Sequence, residues 1–466
     1  MTATATVVGG SWRELLGPRH LAVATVLAGG VGLYATNEFL TISLLPSAVA
    51  EIGGHRLYAW VTTVYLIASV AAATTVSATL ARLGARRSYL LGLTAFGLAG
   101  ALCALAPTME VLLAGRTLQG AAGGLLAGLG YSVINSALPQ PLWTKASALV
   151  SAMWGVGTVL GPAAGGLFAQ YGSWRWAFGA LLIATGIIAA LVPFALPAQP
   201  DGLRRSRDRI PVRSLLLLAV AASAVSVAAI AGRPGATTAL LVLAAGAVGA
   251  FLVVDRRAAS AVLPPSAFRP GPLKWIYLTL GILMATTMVD VYVPYFGQRL
   301  AHLPPVAAGF LGVALAVGWT TSEIVSASVT RPRVIAGAVS AAPLVMAVGL
   351  LTAAVSQVSD ATAGTIALWT TALLLTGVGI GMAWPHLTAS AMSSVTDPAE
   401  GARAAAAINT VQLVCGAFGA GLAGIVVNAT DTGGVAPARW LFATFAVVAV
   451  LGLGASARSV RPVPSS

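Results

Sequence analysis

The chain has 466 residues, of which 58% are hydrophobic and 8% are charged. Because an ordinary soluble domain has about 25% charged residues, this composition, with a mean hydropathy of +0.88, excludes the soluble class and indicates a membrane protein with many crossings. The formal net charge of +13 is spread along the chain rather than clustered on one soluble face, so we expect no binding to nucleic acid.

Apolar segments long enough to cross a membrane, about 20 residues each, occur in two sets of six. Between the sets lie two shorter segments near 214–231 and 237–254, separated by the sequence Gly-Arg-Pro-Gly at 232–235. These predict an inserted hairpin, and with it an all-α protein of 14 spans in a 6+2+6 arrangement. The other predicted spans are 21–49, 57–80, 88–107, 109–137, 146–170, 176–197, 274–297, 305–328, 334–356, 363–391, 403–428 and 437–455.

The spans divide the chain into an N-terminal six-helix bundle (1–197), a linker with the extra hairpin (198–260), and a C-terminal six-helix bundle with a short tail (261–466). If the N-terminus is cytoplasmic, 20 of the 26 Lys and Arg residues lie on the cytoplasmic side and five on the outer side. By the positive-inside rule, this asymmetry predicts that both termini are cytoplasmic. The first span is too long for a signal-peptide core, so we expect it to be retained.

The fifth span contains the motif G-x-x-x-G-P-x-x-G-G at 157–166. Small residues at this spacing share one helix face and let a neighbouring helix approach closely, while the proline removes a backbone donor and bends the segment. Any tightly packed membrane helix can carry such spacing. The residues of the motif are Gly157, Gly161, Pro162, Gly165 and Gly166.

Two further motifs precede it in the chain. The connection after the second span has the sequence L-A-R-L-G-A-R-R at 80–87, and the fourth span contains R-T-L-Q-G at 116–120. The residues that we single out in them are Arg82, Gly84, Arg86, Arg116 and Gln119.

Together, these motifs resemble those of the drug:proton antiporters with 14 helices in the major facilitator superfamily. Residues 157–166 are similar to the antiporter signature on the fifth helix, 116–120 to the R-x-x-Q-G motif, and 80–87 to the loop motif G-x-L-a-D-R-x-G-R-R. Ala81 stands where the loop motif has its acidic residue, so the charge contact of that residue is not carried over. The resemblance implies the major facilitator fold, in which two six-helix bundles rock about a substrate cavity.

Ionisable residues at membrane depth each cost a few kcal/mol and tend to face a cavity or a partner. At 1.5 Å per residue, Glu38 lies roughly 16 Å from the outer end of its span and Arg116 roughly 10 Å, a difference that the long arginine side chain covers. We predict that they share a cavity in which Glu38 takes up and releases a proton. The resemblance adds that first-helix acids and this arginine are implicated in coupling in related antiporters. Asp290 and Glu323 are predicted as further proton-coupling residues.

Each of these residues also has a structural interpretation. Glu38 is then a permanently paired carboxylate, and Arg116 has a purely structural role. Asp290 is then a hydrated residue of the outer interface, and Glu323 forms a salt bridge that locks an inner gate.

Aromatic and polar residues of the spans are candidates for a substrate pocket, where ring faces and acids favour lipophilic cations. Core packing is the alternative for the aromatic residues, and hydrogen bonding between helices for the polar ones. His386 is expected to hydrogen-bond a neighbouring helix. The predicted substrate-binding residues are Tyr34, Asn37, Gln119, Trp154, Tyr292, Trp384, Asn409 and Gln412.

The sequence contains no P-loop and no metal-ligand spacing, and Cys103 and Cys415 lie far apart in apolar segments. We therefore expect no enzyme activity, no metal and no cofactor, with a proton gradient as the driving force. We predict a monomeric, proton-coupled exporter of small amphipathic or cationic compounds in a bacterial plasma membrane. Its expected partners are a small-molecule substrate, protons and the lipid bilayer. The alternatives are export of a lipid or lipid-linked metabolite, symport of a sugar or organic solute, and a membrane sensor or assembly factor that reuses the fold.

Overall fold

The computed structural model describes residues 11–196, 198, 211–258, 261–394 and 398–460. Within these residues the chain is helical almost throughout and forms no strand, which confirms the predicted all-α class. The arginine cluster at 204–209 and the tail residue Arg461 lie outside the described residues.

The helices follow the predicted spans closely, because apolar length alone largely determines where a membrane helix lies. Twelve of the described helical segments are long and apolar enough to cross a membrane, so the chain is a multi-pass membrane protein. The helices are α1 (Leu21–Ile52), α2 (Tyr58–Ala73), α3 (Val76–Ala104), α4 (Met109–Ser132), α5 (Trp143–Tyr171), α6 (Trp174–Ala195), α7 (Val212–Ile230), α8 (Pro234–Arg257), α9 (Leu273–Thr287), α10 (Val293–Ala301), α11 (Pro305–Ala327), α12 (Pro332–Val355), α13 (Ala363–Ser393), α14 (Pro398–Thr430) and α15 (Ala436–Ser459).

Helices α9 and α10 count together as one of the twelve segments. Helices α1 and α4 are not among the twelve, although they have 32 and 24 residues. Their middle turns carry the polar pairs Asn37–Glu38 and Arg116–Gln119, which lower the hydropathy of any window that contains them. Their length still suffices for a crossing. The total of 14 crossings stays a prediction.

The connection between the second and third spans differs from the prediction. Helix α2 ends at Ala73, and α3 already begins at Val76, so the expected loop at 81–87 is wrong in detail. The helix is instead interrupted at Gly84, whose backbone has φ 73° and ψ 170°. This conformation is essentially restricted to glycine. Gly84 is buried, whereas Arg82 is exposed and Arg86 is half-buried.

The predicted span 274–297 is also interrupted. A 3₁₀ turn at Met288–Tyr292 separates α9 from α10 and contains Asp290. Pro294 lies four residues after Asp290 and has no N–H to donate to the Asp290 carbonyl. The α-helical hydrogen bond between these two residues is therefore missing at this turn.

Two compact units are formed by residues that are not contiguous in the chain. The first consists of Met1–Thr41 and Ala68–Ile210, and the second of Ile42–Ile67 and Pro211–Ser466. In the first unit α3 packs against α4 and α6, and in the second α13 packs against α11 and α12. The hairpin helix α7 packs against α8 and α14. The domain boundaries predicted at 197 and 260 stay a prediction.

Candidate functional site

The glycine motif brings α5 against α1. A Cβ built on Gly157 would lie 2.7 Å from the carbonyl carbon of Ala35, and one built on Gly161 would lie 2.8 Å from the amide nitrogen of Leu40. Real Cβ atoms do not approach backbone atoms so closely, so both positions require glycine. The spacing predicted this close approach, and α5 thereby fixes the part of α1 that carries Glu38.

The carboxylate of Glu38 lies within electrostatic range of the Arg116 guanidinium on α4. Glu38 is half-buried, and its buried Oε2 atom has no hydrogen-bond partner among the described residues. Arg116 is only 1% exposed. The two side chains therefore lie near each other in the first unit, whereas the shared cavity and a role in proton transfer stay predictions.

Gln119 holds the arginine in place. The NH1 group of Arg116 donates a hydrogen bond of 2.7 Å to Oε1 of Gln119, and Cys103 on α3 lies 3.8 Å from the same oxygen. Gln119 is fully buried in this contact. The sequence analysis considered hydrogen bonding between helices for Gln119 but not this bond to Arg116 within α4, and its predicted contact with substrate stays a prediction.

Tyr34 and Asn37 are further predicted residues on α1. Tyr34 precedes Asn37 by three residues and Glu38 by four, so its position on the helix surface neighbours both. The ring of Trp154 on α5 meets that of Tyr34 edge-on, with 5.4 Å between centroids and an interplanar angle of 80°. Asn37 is fully buried, and neither side-chain atom has a hydrogen-bond partner in the described part of the chain. Such an amide is costly to bury and can satisfy a polar ligand.

In the second unit, Asp290 faces α11. A Cβ built on Gly312 would lie 2.9 Å from Oδ1 of Asp290, so the glycine makes room for the carboxylate. Two residues further along, Tyr292 stacks on Tyr58 of α2 with 4.8 Å between ring centroids. Tyr292 is 2% exposed. The sequence analysis did not predict its contact with Tyr58.

A second acid-containing cluster lies between α11 and α13. The Trp319 indole donates a hydrogen bond to the carboxylate of Glu323, and its ring meets that of Trp384 at 5.2 Å. All three side chains are half-buried. His386 hydrogen-bonds the Ser326 hydroxyl of α11 at 2.9 Å, which confirms the expected bond to a neighbouring helix.

The remaining predicted residues of the second unit lie on α14, where Asn409 is exposed and Gln412 is half-buried. A small apolar pocket lies elsewhere in this unit and is lined by residues such as Phe296, Gln357 and Trp369. None of the predicted substrate-binding residues lines it.

Asp255 is a buried acid that the sequence analysis missed. Its two carboxylate oxygens accept hydrogen bonds from the backbone amides of Val262 and Leu263 at 2.8 and 2.9 Å, and the residue is 1% exposed. It ties the end of the hairpin helix α8 to the segment that follows. Since Asp255 lies beside Arg256 and Arg257 at a span end, the sequence indicates a hydrated acid there and gives no signal for burial.

Comparison with known proteins identifies the family. The sequence profile of the Major Facilitator Superfamily matches residues 27–420. The chain belongs to this superfamily. It is 62% identical over 461 residues, which is 98% of both chains, to a probable multidrug-efflux transporter of Mycobacterium tuberculosis (strain ATCC 25618 / H37Rv). It is 30% identical over 434 residues, 90% of this chain and 83% of the relative, to the puromycin resistance protein pur8 of Streptomyces alboniger.

Solved structures of the superfamily share the fold. A bacterial homolog of the human lysosomal transporter Spinster, in an inward-facing and unoccupied conformation, has a TM-score of 0.63 at 14% identity and covers 98% of this chain and 100% of that one. This likeness shows the fold alone. It confirms the major facilitator fold that the motifs at 80–87, 116–120 and 157–166 predicted.

Proposed function

We propose that this superfamily member is a proton-coupled exporter of small amphipathic or cationic compounds that works by alternating access. The observation that carries the proposal is the half-buried Glu38 carboxylate beside the buried Arg116 guanidinium. The names of the relatives, a probable multidrug-efflux transporter and a puromycin resistance protein, support export of small molecules.

In the proposed cycle, Glu38 takes a proton from the outside and becomes neutral. When the site opens to the cytoplasm, attraction by Arg116 favours the ionised carboxylate, and the proton leaves to that side. Gln119 supports this step because its bond to Arg116 keeps the guanidinium from following the carboxylate. A membrane potential contributes about 2.3 kcal/mol per charge and 100 mV, and we propose that the proton gradient drives the cycle without a cofactor.

The residues around Glu38 favour an amphipathic substrate. Asn37 offers a buried amide without a partner among the described residues, and Tyr34 with Trp154 offers ring surface. In the second unit, Trp319 lies beside Glu323 and its ring meets that of Trp384, and indole rings next to a carboxylate attract organic cations. We propose that Asp290, Asn409 and Gln412 supply further polar contacts from the second unit.

The proposal includes the arrangement in the membrane. Twenty of the 26 basic residues fall on the cytoplasmic side when both termini are cytoplasmic, which supports this orientation in a bacterial plasma membrane. We propose that the protein acts as a monomer.

Transport by purified protein in liposomes tests the proposal, with tetraphenylphosphonium as the probe cation. A proton gradient imposed in one direction should drive the cation in the other. Glu38→Gln keeps the shape of the side chain but cannot carry a proton, so gradient-driven flux should vanish while exchange of labelled for unlabelled cation continues.

Glu51→Gln is the matched control, because Glu51 lies on the same helix and is exposed. Unchanged gradient-driven flux in Glu38→Gln would rule out the proposed proton site. Flux of the cation in the same direction as the protons would show that the protein is a symporter and not a proton-coupled exporter.

A further inference from the structure

Asn428 of α14 joins two distant parts of the second unit. Its Nδ2 atom donates to the carbonyl of Arg56, just before α2, and to the carbonyl of Ala229 in the last turn of the hairpin helix α7, both at 3.0 Å. The last carbonyls of a helix have no partner within the helix. Asn428 therefore caps the end of α7 and holds the beginning of α2 with the same amide group.

A second hydrogen bond joins α2 directly to the hairpin. The indole nitrogen of Trp60 donates to the carbonyl of Ser226 at 2.8 Å. Polar groups at such a contact have few other partners within a membrane, so each bond that opens leaves a donor or an acceptor to be satisfied elsewhere.

Glycines of α14 allow all three helices to meet. A Cβ on Gly424 would lie 2.8 Å from the Cβ of Ala59 on α2 and 3.3 Å from that of Ala229 on α7. A Cβ on Gly421 would lie 2.9 Å from Val225 of α7. Helix α7 thus lies in direct contact with α14 along a face that also receives α2.

The start of α2 is therefore held at a site to which the extra hairpin contributes. We define the α2 seat as Ser226, Ala229, Gly424 and Asn428. Tyr58, the first residue of α2, stacks on Tyr292 beside the seat and is 2% exposed. The seat lies at the end of α2 that the charge distribution predicts to face outward.

We propose that the inserted hairpin is a positioning element of transport: helix α7 stabilises the outward-closed state by holding the start of α2 in the α2 seat. Opening toward the outside breaks the Trp60–Ser226 and Asn428–Arg56 bonds. The Asn428–Ala229 bond and the glycine contacts persist, so the hairpin stays with α14 while α2 leaves. This inference rests on the alternating access of the proposed function.

Distances between two spin labels test the proposal on the full-length purified protein. His55 and Thr432 are both exposed and lie outside the seat, one before α2 and the other after α14. Nitroxide labels are attached at His55→Cys and Thr432→Cys after Cys103→Ala and Cys415→Ala have removed the native thiols. Double electron–electron resonance then gives the ratio of long (open) to short (closed) distances.

Trp60→Phe keeps an aromatic ring and removes the indole donor. It should raise the open-to-closed ratio about threefold, which corresponds to one interhelical hydrogen bond of average strength in a membrane protein. Asn428→Ala should raise the ratio further, because it removes the bonds to both carbonyls. Trp369→Phe is the matched control, since the Trp369 indole donates to the Ser356 carbonyl at 3.2 Å and contacts neither α2 nor α7 through that bond.

The proposal is overturned if Trp60→Phe and Asn428→Ala both give the same distribution as the parent protein, including the case in which no long distance appears at all. It is also overturned if Trp369→Phe raises the ratio as much as Trp60→Phe does. The measurement needs neither substrate nor proton gradient. Failure of the proton site would appear in the Glu38→Gln flux and not in these distances, so the two proposals can fail separately.

Discussion

Gly157 and Ala35 are in direct contact: a Cβ on Gly157 would lie 2.7 Å from the Ala35 Cβ as well as from its backbone. The neighbouring face of α1 carries Glu38, so any change in the spacing between α1 and α5 moves the proposed proton site. The close approach is thus a structural condition for the pairing of Glu38 with Arg116.

Gly157→Ala and Gly161→Ala should each destabilise the protein by about 1–3 kcal/mol, the usual cost of overpacking, because the new methyl group meets backbone atoms that cannot rotate away. Thermal unfolding in detergent measures the effect. Gly155→Ala is the control on the same helix, since a Cβ there has nothing within 4 Å. Equal melting temperatures for all three variants would contradict the packing described for α5.

Gln119→Leu should lower stability by about 1 kcal/mol, because it removes an acceptor of the buried Arg116. Proton-driven transport should fall by the same factor for every substrate tested, since the residue acts through Arg116. Thr117→Ala on the exposed face of α4 serves as the comparison in the unfolding and transport assays. A loss confined to one substrate would instead support the direct substrate contact predicted from the sequence.

His386→Gln should leave the pH profile of transport unchanged, because the imidazole hydrogen-bonds Ser326 and an amide can replace that bond. Ser326→Ala should cost about 1 kcal/mol, since the Ser326 hydroxyl also donates to the Met382 carbonyl at 2.7 Å. Flux measured across a series of pH values checks the first expectation, and thermal unfolding the second. A pH profile displaced by His386→Gln would show that the histidine carries protons.

Asp255→Asn should destabilise the protein by about 2 kcal/mol. The carboxylate accepts one backbone hydrogen bond with each oxygen, whereas the amide is uncharged and has only one oxygen that can accept. Asp431→Asn should cost less than about 1 kcal/mol, since Asp431 pairs with Arg299 at 3.3 Å on an exposed surface. Unfolding midpoints of the two variants give the comparison. Similar losses at both positions would mean that burial of Asp255 adds no stability.

The sequence predicted the features that leave a pattern in residue types. Apolar length gave the helix positions, the glycine spacing gave the close approach of a neighbouring helix to α5, and rise per residue placed Glu38 near Arg116. The break after α9 was not predicted, because prolines such as Pro162 also lie inside continuous helices and a hydropathy window averages over single residues.

The contacts of the hairpin left no such pattern. Trp60 and Asn428 donate to the backbone carbonyls of Ser226 and Ala229, and every residue type supplies a carbonyl. In the sequence, Gln119 is likewise only a polar residue in a span. Its hydrogen bond with Arg116 becomes evident only from the distance in the structure. Which partner a polar side chain finds depends on helix packing, which one sequence does not determine.

The large sequence separation between Asn428 and its hydrogen-bond partners has a consequence for membrane insertion. Its partner Arg56 is 372 residues earlier in the chain and Ala229 is 199 residues earlier, whereas synthesis proceeds from the N-terminus. The C-terminal end of α7 therefore lies in the bilayer without the hydrogen bond from Asn428 until α14 has been synthesised and inserted. Nascent chains released before this point would be the natural targets of membrane quality control.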